Sequence, residues 1–133
     1  MQSVLVIDDE EQVRRHLKVA LSDDYSFDTA KTIEEAEEKI QQTTWDFAFV
    51  DLRMADTKDF GGTQLFQTIR KKSPETKIII LSAYPFDGQV QEEFKKVLKN
   101  EINQEQILKD IEKNYISKIG DENYIYAVLK KLG

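Results

Sequence analysis

The strongest constraint on the fold is a repeated alternation of short apolar runs with helical patterns. Residues 3–7, 46–50 and 77–81 are rich in aliphatic and aromatic side chains, and 25–30 is a weaker run of this kind. Continuous apolar runs of this length are typical of strands that are buried on both faces. Between the first two runs, Val13, Leu17 and Leu21 recur at helical spacing and form one apolar stripe.

The order of these elements predicts an α/β fold. A strand followed by a helix, repeated about five times, favours a parallel sheet with helices on both faces. We place the fifth strand at 96–98 and expect one domain over residues 1–119. Residues 120–133 then form a helical extension, with Asp121 as its cap and an apolar stripe that includes Val128 and Leu132. We expect that this extension packs back on its own domain, forms a dimer contact, binds a partner or begins an output region.

Composition excludes several classes of protein. The 133 residues carry a formal net charge of −6, which disfavours binding to nucleic acid or to anionic lipid. No stretch approaches the roughly 20 apolar residues of a membrane span, and no signal-peptide pattern opens the sequence. The chain has no cysteine, as is common in a reducing compartment. We therefore expect a cytoplasmic protein.

Polar residues follow the predicted strands. Asp8 and Asp9 come after the first strand, Asp51 after the third, Ser82 ends the fourth, and Lys99 follows the fifth. In an open parallel sheet, ligands bind outside the carboxyl ends of the strands. The fold therefore predicts that three carboxylates, a hydroxyl and an ammonium meet at one edge.

This grouping has a chemical interpretation. Three clustered carboxylates repel one another and need a cation, and oxygen ligands favour magnesium or calcium. A lysine and a hydroxyl beside such a site suit a transferred phosphoryl group. Asp51 would be the nucleophile. Taken singly, these residues have simpler interpretations, because Asp8, Asp9 and Glu10 suit the start of a helix, and Ser82 suits a turn.

Four segments carry a resemblance to a known family. Residues 4–10, 49–54, 79–84 and 98–100 resemble the signature segments of the receiver domain of response regulators, in order, over residues 3–118. The resemblance implies a five-stranded parallel sheet in flavodoxin-like order. It also implies that Asp51 is the phosphoacceptor, and that Asp8 and Asp9 hold Mg²⁺ together with Asp51.

The resemblance assigns three further roles. The backbone carbonyl of Arg53 would complete the metal ligands, Ser82 would hydrogen-bond the phosphoryl group, and Lys99 would pair with it. The sequence also departs from the family. Ala55 replaces the usual proline, the loop that includes 56–59 is longer than usual, and the interval from Ser82 to Lys99 is short. Lys96 stands where the family has an aromatic switch residue.

These observations favour a phosphorylatable receiver of a two-component or phosphorelay system. It would take its phosphoryl group from a sensor histidine kinase or a histidine phosphotransfer protein, and would act as a signalling switch and not as a metabolic enzyme. Whether it forms a homodimer is left open by the sequence. The altered region before Lys99 keeps open an interaction module that works without phosphorylation. A phosphatase of the haloacid dehalogenase type is disfavoured, because Glu10 stands where that family needs its second aspartate.

Overall fold

The structure is a computed structural model that describes residues 1–54, 60–118 and 123–133. Its strands are β1 (Ser3–Ile7), β2 (Ser26–Ala30), β3 (Phe47–Val50), β4 (Lys77–Ser82) and β5 (Tyr115–Ser117). Its helices are α1 (Glu11–Leu21), α2 (Ile33–Gln42), α3 (Gly61–Lys72), α4 (Gly88–Val97), α5 (Gln104–Lys113) and α6 (Tyr124–Leu132). Ala55, the loop residues 56–59 and the predicted cap Asp121 lie outside the described residues.

The five strands form one parallel sheet in the order β2-β1-β3-β4-β5. This confirms the predicted flavodoxin-like order with helices on both faces. The chain leaves β1 in one direction for β2 and later returns to its other side as β3. The carboxyl ends of β1 and β3 therefore flank the point where the strand order reverses, which is where such sheets bind ligands.

Two apolar cores cover the two faces of the sheet. One core includes Leu65 and Ile69 of α3 and Phe94 of α4, all almost completely buried. The other includes Leu17 and Leu21 of α1. The strands contribute to both cores because their side chains alternate between the faces, which explains why β1, β3 and β4 are apolar along most of their length.

The C-terminal helix α6 belongs to the second core. Val128 is completely buried and Leu132 nearly so, beside Leu17 and Leu21 of α1. Of the alternatives for this extension, the described residues 123–133 therefore show packing against the same chain. The division into a domain at 1–119 and an extension at 120–133 remains a prediction.

The predicted fifth strand at 96–98 is wrong. These residues end α4, and the Leu98 N–H donates to the Phe94 carbonyl in a helical hydrogen bond of 3.0 Å. Phe94 and Leu98 are both fully buried while Lys95 and Lys96 are exposed, as expected one helical turn apart. The true fifth strand, β5, follows the additional helix α5.

Candidate functional site

Two buried aspartates lie at the carboxyl ends of β1 and β3. Asp8 follows β1 and is 1% exposed, and Asp51 follows β3 and is 5% exposed. Backbone hydrogen bonds continue the sheet through both residues, from Asp8 N–H to the Ala30 carbonyl at 3.0 Å and from Asp51 N–H to the Ile7 carbonyl at 2.9 Å. The sheet thus fixes their positions, as the sequence predicted.

Two further carboxylates complete an acidic cluster. One carboxylate oxygen from each of Asp8, Asp9, Glu10 and Asp51 lies within 4.8 Å of the others. The donors are all hard oxygens, and two of them are buried, so the cluster suits a small divalent cation such as Mg²⁺. Asp8, Asp9 and Asp51 are the three that the sequence analysis selected.

A lysine does enter this cluster, but it is Lys118. Its ammonium Nζ lies 2.9 Å from Asp8 Oδ2, 3.1 Å from Glu10 Oε1 and 3.5 Å from Asp51 Oδ2, and its side chain is only 7% exposed. Lys118 directly follows β5, whose register with β4 places it beside Ser82. The Lys118 N–H donates to the Ser82 carbonyl at 2.7 Å.

The prediction that Lys99 is the lysine of this pocket is therefore wrong. It is exposed and follows α4, which starts at the carboxyl edge of the sheet and runs back toward the opposite edge. Two residues later, Glu101 accepts hydrogen bonds from Gln67 and Arg70, toward the carboxyl-terminal end of α3. This end of α3 leads into the start of β4, so Lys99 lies away from Asp51.

The sequence did contain a signal for Lys118. In the sequence, the aromatic and β-branched pair Tyr115-Ile116 is typical of a strand, and Lys118 follows it two residues later. The structure shows Ile116 buried between half-buried Tyr115 and Ser117. Tyr115 is three positions before Lys118, so this aromatic residue, and not Lys96, occupies the position of the family's switch residue. The interval after Ser82 is consequently longer than we inferred, because α5 is inserted before β5.

Burial and charge set the ionisation of the pocket. Burial, reinforced by the negative charge of Asp8, raises the pKa of Asp51 to about 7. Burial also raises the pKa of Asp8. For Lys118, burial favours the neutral amine, but the carboxylates of Asp51 and Asp8 outweigh it and raise its pKa, so the ammonium stays charged. The Lys118 ammonium thus neutralises part of the negative charge in the pocket, and a net negative charge remains.

The β4–α4 loop forms the other wall of the site. Ser82 is fully buried, and its Oγ accepts a hydrogen bond from the Tyr84 N–H at 3.1 Å. The hydroxyl of Tyr84 accepts from Arg53 Nη1 at 2.7 Å, and its carbonyl accepts from the Tyr115 hydroxyl. Arg53 and Tyr84 line the same cleft of about 390 Å³ as Asp51. These contacts place Ser82 and Arg53 at the predicted site, while a metal ligand role for the Arg53 carbonyl remains a prediction.

Gly62 lets α3 approach the backbone of Asp51 closely. A Cβ at Gly62 would lie 2.1 Å from the Asp51 carbonyl oxygen and 2.6 Å from the Leu52 Cα. Its N–H donates to the Leu52 carbonyl at 2.8 Å. The absence of a side chain at Gly62 is therefore a requirement of the site, because any larger residue displaces the backbone of Asp51.

Within 1–54, 60–118 and 123–133, the structure has no helix that combines the length and apolar character of a membrane span.

Curated relatives share a segment of the chain. Response regulator protein PilR of Pseudomonas aeruginosa is 31% identical over 85 residues, which cover 62% of this chain and 18% of PilR. Sensory transduction protein LytR of Staphylococcus haemolyticus is 34% identical over 83 residues, covering 60% of this chain and 31% of LytR. The matched segment is thus less than a third of either relative.

Solved structures match the whole chain. The response regulator protein TrrA from Thermotoga maritima, crystallised in complex with Mg²⁺-BeF, is 28% identical with a TM-score of 0.67, and the match covers 100% of both chains. A CheY-like receiver domain protein from Methanospirillum hungatei is 21% identical with a TM-score of 0.73, covering 98% of this chain and 92% of the other. The second likeness supports the fold alone.

A family model carries the assignment. The model of the response regulator receiver domain matches residues 4–121, which include all five strands, Asp8, Asp51 and Lys118. The acidic cluster at the carboxyl ends of β1 and β3 is typical of the metal site in such domains. The chain belongs to the receiver-domain family of response regulators, the signalling switches of two-component systems.

Proposed function

We propose that this receiver accepts a phosphoryl group on Asp51 with the help of Mg²⁺. A receiver domain implies a histidine kinase or phosphotransfer partner, and we propose a phosphohistidine of such a partner as the donor. The observation that carries the proposal is the buried Asp51 on the central strand, sharing one pocket with Asp8 and the Lys118 ammonium.

Asp51 has the position and the environment of a nucleophile. In the proposed step, one of its carboxylate oxygens attacks the phosphorus of the phosphoimidazole. A P–O bond forms as the P–N bond breaks, and the electron pair of the broken bond remains on the imidazole nitrogen. Asp51 must be ionised to react. Its pKa of about 7 in the metal-free pocket means that added positive charge increases the reactive fraction at neutral pH.

Asp8, Asp9, Asp51 and the Arg53 carbonyl are the proposed metal ligands. Bound Mg²⁺ would supply positive charge that offsets the carboxylates and the charge of the phosphoryl group. Asp8 and Asp51 are held by the sheet and Asp9 faces the cleft beside Asp51. The Mg²⁺-BeF complex of TrrA, the 28% identical relative, supports this proposal.

Lys118 and Ser82 are the proposed partners of the phosphoryl oxygens. The Lys118 ammonium is already 3.5 Å from Asp51 Oδ2, so a short movement brings it to an oxygen of a group on that carboxylate. The Ser82 hydroxyl ends the adjacent strand β4. We assign to Lys118 the role that the sequence analysis gave to Lys99. Transfer to Asp51 and slow hydrolysis of the product would be the only reactions of this switch.

Incubation with acetyl phosphate and Mg²⁺ tests the proposal. Intact-mass and peptide mass spectrometry should find one phosphoryl group on Asp51, and none in Asp51→Asn. Asp23→Asn is the matched control, because it removes an exposed carboxylate after α1. Absence of phosphorylation in the parent protein, with both this donor and a phosphohistidine donor, would refute the proposal.

The main reason to favour a phosphorylation-independent interaction module is now weaker. That alternative depended on the altered region before Lys99. Since Lys118 occupies the pocket and Tyr115 precedes it by three positions, the region no longer lacks the residues that a phosphorylation switch uses.

A further inference from the structure

Glu10 contacts the Lys118 ammonium, but its carboxylate has no role in the proposed chemistry. Its carboxylate Oε1 is 3.1 Å from the Lys118 ammonium, and its side chain is 57% exposed while that of Lys118 is 7% exposed. Glu10 is the N-cap residue of α1, but its side chain makes no capping hydrogen bond. The carboxylate therefore points to Lys118 and does not cap the helix through a hydrogen bond.

Both carboxylate oxygens of Asp8 already have partners. Its Oδ1 accepts a hydrogen bond from the Glu10 N–H at 2.9 Å, and its Oδ2 is paired with the Lys118 ammonium at 2.9 Å. Both carboxylate oxygens are thus engaged. A divalent cation held by Asp8 would share this carboxylate with the ammonium, and like charges so close together repel in a buried pocket. Filling the metal site would therefore weaken the contact between Lys118 and Asp8.

We propose that Glu10 is a positioning residue, which holds the Lys118 ammonium in the pocket when Asp8 binds the metal. This inference rests on the proposed function, because it concerns the same Mg²⁺ site. Glu10 stands at the exposed side of the pocket and already contacts the ammonium, so the lysine exchanges one carboxylate for another without crossing solvent. Held there, Lys118 stays charged and within reach of Asp51.

The proposal predicts a coupling between Glu10 and Lys118 in metal binding. In Glu10→Gln, the ammonium loses the one of its three carboxylate contacts that is not a proposed metal ligand, so it remains on Asp8 and Asp51 and competes with Mg²⁺. We expect the affinity for Mg²⁺ to fall roughly fivefold, within the range of coupling between contacting residues. In Lys118→Met, no ammonium competes, so adding Glu10→Gln should change the affinity less than roughly twofold.

A double-mutant cycle tests this coupling. Mg²⁺ affinity is measured from amide chemical shifts for the parent, each single variant and the double variant. Glu11→Gln is the matched control, since it removes a neighbouring carboxylate that pairs with Arg15 and not with Lys118. An equal loss of affinity with and without Lys118 would overturn the inference, because Glu10 would then act as a ligand or through its charge.

The outcomes separate this inference from the proposed function. Failure of the parent to bind Mg²⁺ would refute the metal site, whereas binding by the parent with an uncoupled cycle would refute only the role of Glu10. A second measurement avoids Lys118→Met should that variant not fold. In the Mg²⁺-loaded parent, the Lys118 ammonium protons should be visible by NMR, and Glu10→Gln should lose this signal. Retention of the signal in Glu10→Gln would contradict the inference.

Discussion

Replacing Asp51 with asparagine should stabilise the metal-free protein at neutral pH. The change preserves the size of the side chain and removes the charge from a carboxyl group that is 5% exposed and close to Asp8. Asparagine needs no countercharge, so the cost of holding a buried carboxylate beside a second one disappears. The energetic difference follows from the pKa of Asp51.

The pKa sets both the size and the pH range of the effect. The folded protein raises the pKa of Asp51 from 3.8 to about 7, and each tenfold change in dissociation is worth about 1.4 kcal/mol. The upper bound is thus about 4 kcal/mol, and we expect about 2 kcal/mol because a real pocket relaxes. A raised carboxyl pKa contributes stability that is complete below pH 3.8 and is lost as the pH rises through 7.

The measurement is urea unfolding in chelator-treated buffer from pH 4 to pH 8. The free energy of unfolding of Asp51→Asn, minus that of the parent, should increase across this range and level off above pH 7. At neutral pH the gain should raise the melting temperature by roughly 6 °C for a domain of this size. Asp23→Asn should give a flat difference, because its carboxylate is exposed.

Two results would refute this reasoning. A difference that does not change between pH 4 and pH 8 would mean that Asp51 titrates normally, so the pocket is not short of positive charge. A lower stability of Asp51→Asn at pH 8 would mean that, in the parent, the attraction of the Asp51 carboxylate to Lys118 outweighs the cost of its burial and its repulsion from Asp8. Added Mg²⁺ should reverse the order, since it stabilises only the protein that can bind it.

Three further predictions concern single side chains. Lys118→Ala should slow phosphorylation of Asp51 by acetyl phosphate at least roughly tenfold, as expected for loss of a charge-stabilising group. Lys99→Ala should leave the rate unchanged. If both variants are phosphorylated at the same rate, the reassignment from Lys99 to Lys118 is refuted. Gly62→Ala should destabilise the domain by about 3 kcal/mol or more, measured by urea unfolding, because its Cβ overlaps the Asp51 carbonyl. Phe94→Ala should cost about 3–5 kcal/mol in the same assay, since Phe94 is fully buried; a smaller loss would indicate that the core closes around the cavity.

Most of the fold could be predicted because its strands are buried on both faces. A run such as Val4 to Ile7 has few alternatives to a central strand, and the polar residues at its end must lie at the edge of the sheet. The positions of Asp8, Asp9, Asp51 and Ser82 followed directly. No distances between side chains were needed to bring them together.

The prediction failed between β4 and β5 for a physical reason. Val97 and Leu98 are two adjacent apolar residues before a lysine, and so short a segment fits either the end of a strand or the last turn of a helix. Only the tertiary structure decides, because Leu98 is buried one turn after Phe94. β5 itself has three residues and pairs only with β4, so it left a weak pattern.

The position of Lys118 shows that strand pairing, and not spacing along the chain, specifies this site. The segment between Ser82 and Lys118 includes both α4 and α5, yet β5 still pairs with the carboxyl-terminal half of β4. That register places Ser117 opposite Ser82, and the next residue is delivered to Asp8 and Asp51. An insertion that returns the chain to the same edge of β4 leaves the pocket intact. The reason is that the position of Lys118 is set by the register in which the three residues of β5 pair with β4. The added helix can therefore vary the surface beside the switch while the charges within the pocket keep their arrangement.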